Sequence, residues 1–175
     1  MRRIRMWGLA LAAGWLMNAA LGGLGWSADI PMTNVVLGTL HHSNQKEIAM
    51  AKLAQRNARS RQVKDLADTV IEDDTSADKK IVALASEEHI DLDASTAPPN
   101  PTDVSSLEGV VDFDATFAKV LHDDQERELA HASAAYDGTR DPRLRFLLGE
   151  LIPQMRAHRD MAKLILDEGA PRASL

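Results

Sequence analysis

The chain contains no cysteine. Disulfides, thiolate catalysis, thiolate-ligated metals and a lipid-modified cysteine anchor are therefore excluded. Aromatic residues make up 4% of the 175 positions while 45% are hydrophobic, so a core must be built from aliphatic and alanine side chains. Such a core suits closely packed helices. No segment shows the alternating, β-branched pattern of a strand. The net charge is -6 and the basic residues are not gathered in one stripe of the chain's body, which sets nucleic acid aside as a partner. A Gly-rich phosphate loop and a serine nucleophile elbow are also missing, so nothing points to nucleotide binding or to serine hydrolysis.

The N-terminus carries a targeting pattern. Arg2, Arg3 and Arg5 precede an uncharged stretch rich in Ala, Leu and Gly from Met6 to Ala28, and Asp29 follows it. This order predicts a secretory signal over residues 1–28, with release into a bacterial periplasm. Trp26 fits poorly three positions before a cut after Ala28, so a cut after Ser27 is the alternative. Retention as an uncleaved membrane anchor is the other reading of the same apolar stretch.

The remainder, residues 29–175, is read as one all-α domain. Apolar residues recur with a 3.6-residue period in four segments, predicting helices over 34–58, 61–89, 110–136 and 142–168. The first and last pairs are joined by short turns. Between the second and third helices lies a loop, 92–106, with three prolines and no periodicity. A loop that long suits a connection crossing the length of a bundle, and short-long-short is the connectivity of a ferritin-like four-helix bundle. An up-down-up-down bundle is the alternative topology.

The acids of this bundle sit in unusual places. Residues 70–75 read VIEDDT and residues 120–125 read VLHDDQ, each an acid pair inside an apolar stripe. Reading one helix face at spacings of four and three, the second helix gives Val63, Ala67, Val70, Asp74, Ala77, Ile81 and Leu84, with Asp74 its only charge. The fourth gives Leu144, Leu148, Leu151, Met155, His158, Ala162 and Ile165, with His158 alone. The first contributes Glu47 between Asn44 and Ala51. The third contributes Asp124, Glu128 and His131 to one face. Counted from the turns at about 1.5 Å per residue, Glu47 and Asp74 fall in one layer, and Asp124 and His158 within about 6 Å of each other in height.

Several carboxylates cannot stay ionised together in an apolar core without a compensating cation or proton. One reading is a metal site in which Glu47, Asp74, Asp124 and His158 converge, with Glu128 and His131 as weaker candidates, for iron or manganese. The other is a structural polar layer neutralised by arginine, with Arg127 and Arg156 as the candidates. Glu128 and His131 have the Glu-x-x-His spacing of di-iron bundles, but the motif occurs once and such a site needs two. Asp73 and Asp123 are expected at the flank, as solvated acids or as hydrogen-bond acceptors to a ligand. His41, His42 and His122 are expected to be exposed, and His89 to sit at a helix C-terminus where a cation suits the dipole.

Four strings together resemble a known family: NQKEIAMAKLA at 44–54, VKDLADTVIEDDT at 63–75, FDATFAKVLHDDQE at 113–126 and LIPQMRAHRDMAKLI at 151–165. The resemblance is to domain-of-unknown-function family 4142, exported bacterial proteins sometimes called ferritin-like. In that family both acid pairs are usually Asp-His. Glu47, Asp73, Asp123 and His158 match the pattern, whereas Asp74 and Asp124 stand where histidine is expected. Exchanging two nitrogen ligands for oxygen would favour manganese, iron, magnesium or calcium over zinc or copper. The resemblance implies fold and compartment and leaves activity open. Three expectations follow: a metal-binding or envelope-stress accessory protein, an oxidative di-metal enzyme, or an envelope adaptor or homo-oligomer acting through its surface, with or without membrane association.

Overall fold

A computed structural model of the chain describes residues 29–93 and 104–169, and side chains from residue 33 onward. Residues 1–28, where a secretory signal is expected, and the middle of the proline-rich loop lie outside the described residues. Four helices make up the fold: α1, Asp29–Asn57; α2, Arg61–Glu87; α3, Phe113–Gly138; and α4, Pro142–Gly169. No strand is present among the described residues. None of these helices is long and apolar enough to cross a membrane.

The helix ends follow from local chemistry. Ser60 caps α2 by accepting the Gln62 amide at 3.1 Å, and Asp112 caps α3 by accepting the Ala115 amide at 3.3 Å. That cap makes α3 begin at Phe113 rather than at the expected Val110. Before α4, Asp141 accepts the Arg143 amide at 2.9 Å, and Pro142 opens the helix where a missing N–H costs nothing. The end of α2 is a Schellman turn. Ile90 N donates to Ala85 O at 2.8 Å and His89 N to Ser86 O at 3.2 Å, with His89 itself at φ 56°. His89 thus lies just past the helix and takes the left-handed position that glycine usually fills, which corrects the expectation that α2 runs through it.

The loop crosses the bundle. Both carboxylate oxygens of Asp114, at the start of α3, accept backbone amides from the α1–α2 turn, Arg59 N at 3.0 Å and Ser60 N at 2.6 Å. At the same end Gln62 donates to Glu168 in the last turn of α4 at 2.6 Å. At the far end Arg143 pairs with Glu88, bringing the start of α4 to the end of α2. So α1 and α4 run one way and α2 and α3 the other. Around the bundle α1 neighbours α2 and α3, and α4 neighbours α2 and α3. This is the crossover topology; the up-down-up-down alternative is ruled out by the Asp114 contacts. The loop also adds Leu107, at the end of a short 3₁₀ turn, Val104–Leu107, as a fully buried core side chain.

The core falls into two apolar clusters. One holds Leu40, Ile81, Leu129, Ala132, Leu148, Leu151 and Met155; the other holds Met50, Ala51, Val70, Phe117, Leu121 and Ala162. Each buried leucine contributes about 1.5–3 kcal/mol, so these clusters carry the fold. Between them every helix supplies one polar step: Ser43 to Glu47 on α1, Asp74 on α2, Asp124 to Glu128 on α3, and His158 on α4.

Candidate metal centre

Three donors meet in that layer. One ligand atom each from Glu47, Asp74 and His158 lies within 4.8 Å of the others, and all three residues are buried. Each keeps a buried polar atom with no donor assigned to it, Glu47 Oε1, Asp74 Oδ2 and His158 Nδ1, although the Glu47 carboxyl lies within hydrogen-bond range of those of Asp74 and Glu128, where a proton can bridge them. Unpaired buried polar atoms are costly and uncommon, and three aimed at one volume need an explanation.

The surrounding groups orient these donors. On the outer side of His158, Nε2 lies 3.0 Å from Asp73 Oδ2, and Asp73 is about a third exposed. An ionised carboxylate can only accept, so Asp73 holds the proton on Nε2 and leaves the Nδ1 lone pair facing inward, 3.8 Å from Asp74 Oδ1. Burial pushes the His158 pKa down, against the pull of Asp73, which keeps the ring neutral and able to donate that lone pair. Gln125 Nε2 donates to Glu47 Oε2 at 2.6 Å, fixing one oxygen and leaving the other toward the cluster.

The carboxyls are poised against ionisation. Burial raises the Glu47 pKa well above the usual range, with the charges of Glu128, Asp74 and Asp124 adding to it. Burial likewise raises Asp74 well above its ordinary value, with the Glu128 charge next. Glu128 is raised by burial and partly relieved by hydrogen bonds from Ser43 and Glu47. Without a cation the layer holds protons that it would release on taking one up.

Asp124 stands apart from this cluster. It is fully buried, but Lys46 and Arg127 both pair with its carboxylate, so its charge is already compensated. Of the two arginines considered, Arg127 turns to the layer, whereas Arg156 is exposed. His131 is exposed as well, which corrects its assignment to the buried row. Spacings of four and three average 3.5 residues, so the row slips about 20° per heptad on a real helix. His131, fourteen residues after Phe117, lies about 40° off its line, on the side away from Gln125, Leu129 and Ala132, and so falls outside the buried stripe, to which the row returns at Ala135. Glu128 remains at the layer; the Glu128–His131 pair of an oxidative di-metal site is not assembled.

Other histidines also differ from expectation. Because α1 starts at Asp29 rather than Asn34, His41 lies well inside the helix and is buried, with Nδ1 2.6 Å from Asp78 Oδ1 and Nε2 2.8 Å from Gln45. His42 is exposed as expected, and His122 is half-buried beside Asp123 rather than exposed. Three layer residues escaped the sequence reading: Lys46 and Gln125 each sit one position from a recognised acid, and Ser43 one turn before Glu47. Only the width of the stripe, two adjoining rows rather than one, could have pointed to them.

An all-α bundle with a buried Glu–Asp–His cluster defines a class of helical proteins with a candidate cation site. The chain belongs to the family described as Domain of unknown function (DUF4142), which matches residues 31–165. Among solved structures it is similar to "CopM in the Cu(I)-bound form", at TM-score 0.71 and 18% identity over 79% of this chain and 98% of that one. It is similar also to "CopM in the Ag-bound form (by co-crystallization)", at TM-score 0.68 and 19% identity over the same shares. At these identities the likeness shows a common fold. No curated protein matches the sequence.

Proposed function

We propose that this protein is an exported cation-binding bundle that holds one divalent metal at Glu47, Asp74 and His158, with Glu128 beside them. The observation that carries the reading is the buried Glu47–Asp74–His158 set, each offering a ligand atom within 4.8 Å of the others, in a layer whose carboxyls resist ionisation. A metal would supply the missing positive charge and the missing partners together. The similar CopM structures are titled as copper- and silver-bound, which supports a metal role for the fold. In this chain the donors are two carboxylates and one imidazole, without thiolate or thioether, and that set favours iron or manganese over Cu(I) or silver. The arginine-rich, apolar start of the chain supports a periplasmic site of action.

The test is elemental mass spectrometry on untagged protein isolated from the periplasm. Iron or manganese at one per chain, lost in both Glu47→Gln and Asp74→Asn, supports the reading. Metal-free protein that gains no thermal stability from Mn(II), Fe(II) or Cu(II) would sink it.

A further inference from the structure

The layer holds two different kinds of positive charge. Four buried carboxyls line it, Glu47, Asp74, Asp124 and Glu128, and two fixed cations reach it, Lys46 and Arg127. Fully ionised, the carboxyls outnumber those cations by two charges. One divalent ion balances the difference, and a second would overshoot it by as much.

Both fixed cations stand on the α3 side. Lys46 lies one residue before Glu47, about 100° round α1, and so faces α3 when Glu47 faces the cluster. Its side chain is only 12% exposed and pairs with Asp124, while its charge also acts on Glu128. Arg127 covers the other Asp124 oxygen from the next turn of α3. Meanwhile Glu128 Oε1 is buried with no partner, and the Glu128 and Asp124 carboxyls are close enough to feel each other's charge. Asp124 and Glu128, the latter with an unpartnered oxygen, are two acids of the kind a second cation would use, and the Lys46 ammonium already pairs with one of them, Asp124.

We propose that Lys46, braced by Arg127, is a built-in cation in the place of a second metal ion, so that the bundle takes one exchangeable metal and never a pair. Only the absolute number of ions rests on the reading of Glu47, Asp74 and His158 as a metal site; the role of Lys46 is read from a difference between proteins.

The measurement is Mn(II) bound per chain at equilibrium dialysis, counted by elemental mass spectrometry, in the wild type and in Lys46→Gln/Arg127→Gln. The variant is expected to hold one more Mn(II) than the wild type, and adding Asp124→Asn should remove the gain. Lys46→Met, which leaves Arg127 on Asp124 and keeps the fold, is the second variant and should show a weaker additional binding step. Equal counts in wild type and both variants overturn the proposal whatever the wild-type number. A wild type with no Mn(II) and a variant with one sinks the Glu47–Asp74–His158 reading and leaves Lys46 as the blocking cation. One ion in every protein does the reverse.

Discussion

The two acid pairs, Asp73–Asp74 on α2 and Asp123–Asp124 on α3, occupy matching places in matching strings and are solved in opposite ways. On α2 the inner acid has an unpartnered oxygen and the outer acid steers a histidine. On α3 the inner acid carries two cationic partners, and the outer acid bonds Lys119 at 2.5 Å on the surface. The strings themselves do not decide this. What differs is the helix facing each pair: α4 presents neutral His158 to Asp74, and α1 presents Lys46 to Asp124. A buried acid therefore becomes a candidate ligand or a structural ion pair according to what its neighbour brings, and one bundle holds both outcomes in a single layer.

The comparison can be broken from either side. The largest effect is expected on the compensated side. Replacing both Lys46 and Arg127 by alanine takes both cationic partners from a fully buried carboxylate, which should cost about 3–5 kcal/mol at pH 7, read by chemical denaturation. The uncompensated side should respond with the opposite sign. Glu47, Asp74 and Glu128 have raised pKa values, so between their unfolded and folded values the native state binds more protons than the unfolded one. Stability of the metal-free protein must then fall as pH rises above about 4, the range where these carboxyls titrate in the unfolded chain. His158 works against that slope, since its lowered pKa favours folding as pH rises toward about 6.5, but one group opposes three. Asp74→Asn should therefore be more stable than the wild type at pH 8 and similar at pH 4, as thermal melts will show.

A smaller effect distinguishes the outer acids. Asp73→Ala should release the His158 ring, so that nitrogen-15 shifts of the metal-free protein show loss of a single Nε2–H tautomer, and metal affinity should drop about 10- to 100-fold. The smallest belongs to its counterpart. Asp123 is partly exposed at the rim of the bundle and its pKa is lowered chiefly by its hydrogen bond from Lys119. Asp123→Asn should change stability by less than about 0.5 kcal/mol and leave metal affinity alone, as expected for a surface pair. Equal consequences for Asp73 and Asp123 variants would dissolve the contrast.

The helices were legible because their periodicity is strong and their ends carry ordinary signals. The turn ending at Pro142 and the proline-rich loop pointed to the start of α4 and to a crossover. Convergence of Glu47, Asp74 and His158 was legible too, since each is the lone ionisable group in an apolar row, but Asp124, expected to join them, is taken up by Lys46 and Arg127 instead. Electrostatic partners were not. Lys46 and Gln125 lie one residue from a recognised acid, and only the packing of α1 against α3 decides that their side chains turn inward. His131 failed for the converse reason: two heptads at 3.5 residues put it about 40° off the line of Phe117 on a 3.6-residue helix, past the edge of the buried stripe, whereas Ala135 of the same row is buried again. Heights along a bundle can be counted from a sequence, but the rotation that selects between adjacent side chains is set by the neighbouring helix.

The most direct measurement follows the chain's own histidines. Six are present, at positions 41, 42, 89, 122, 131 and 158, and paramagnetic Mn(II) broadens the imidazole resonances nearest to it. In a titration below one equivalent, the His158 ring should disappear first while those of exposed His42, His89 and His131 persist, and Asp74→Asn should abolish the selectivity. Broadening of the exposed rings ahead of His158, or of none, would contradict a cation held between Glu47, Asp74 and His158.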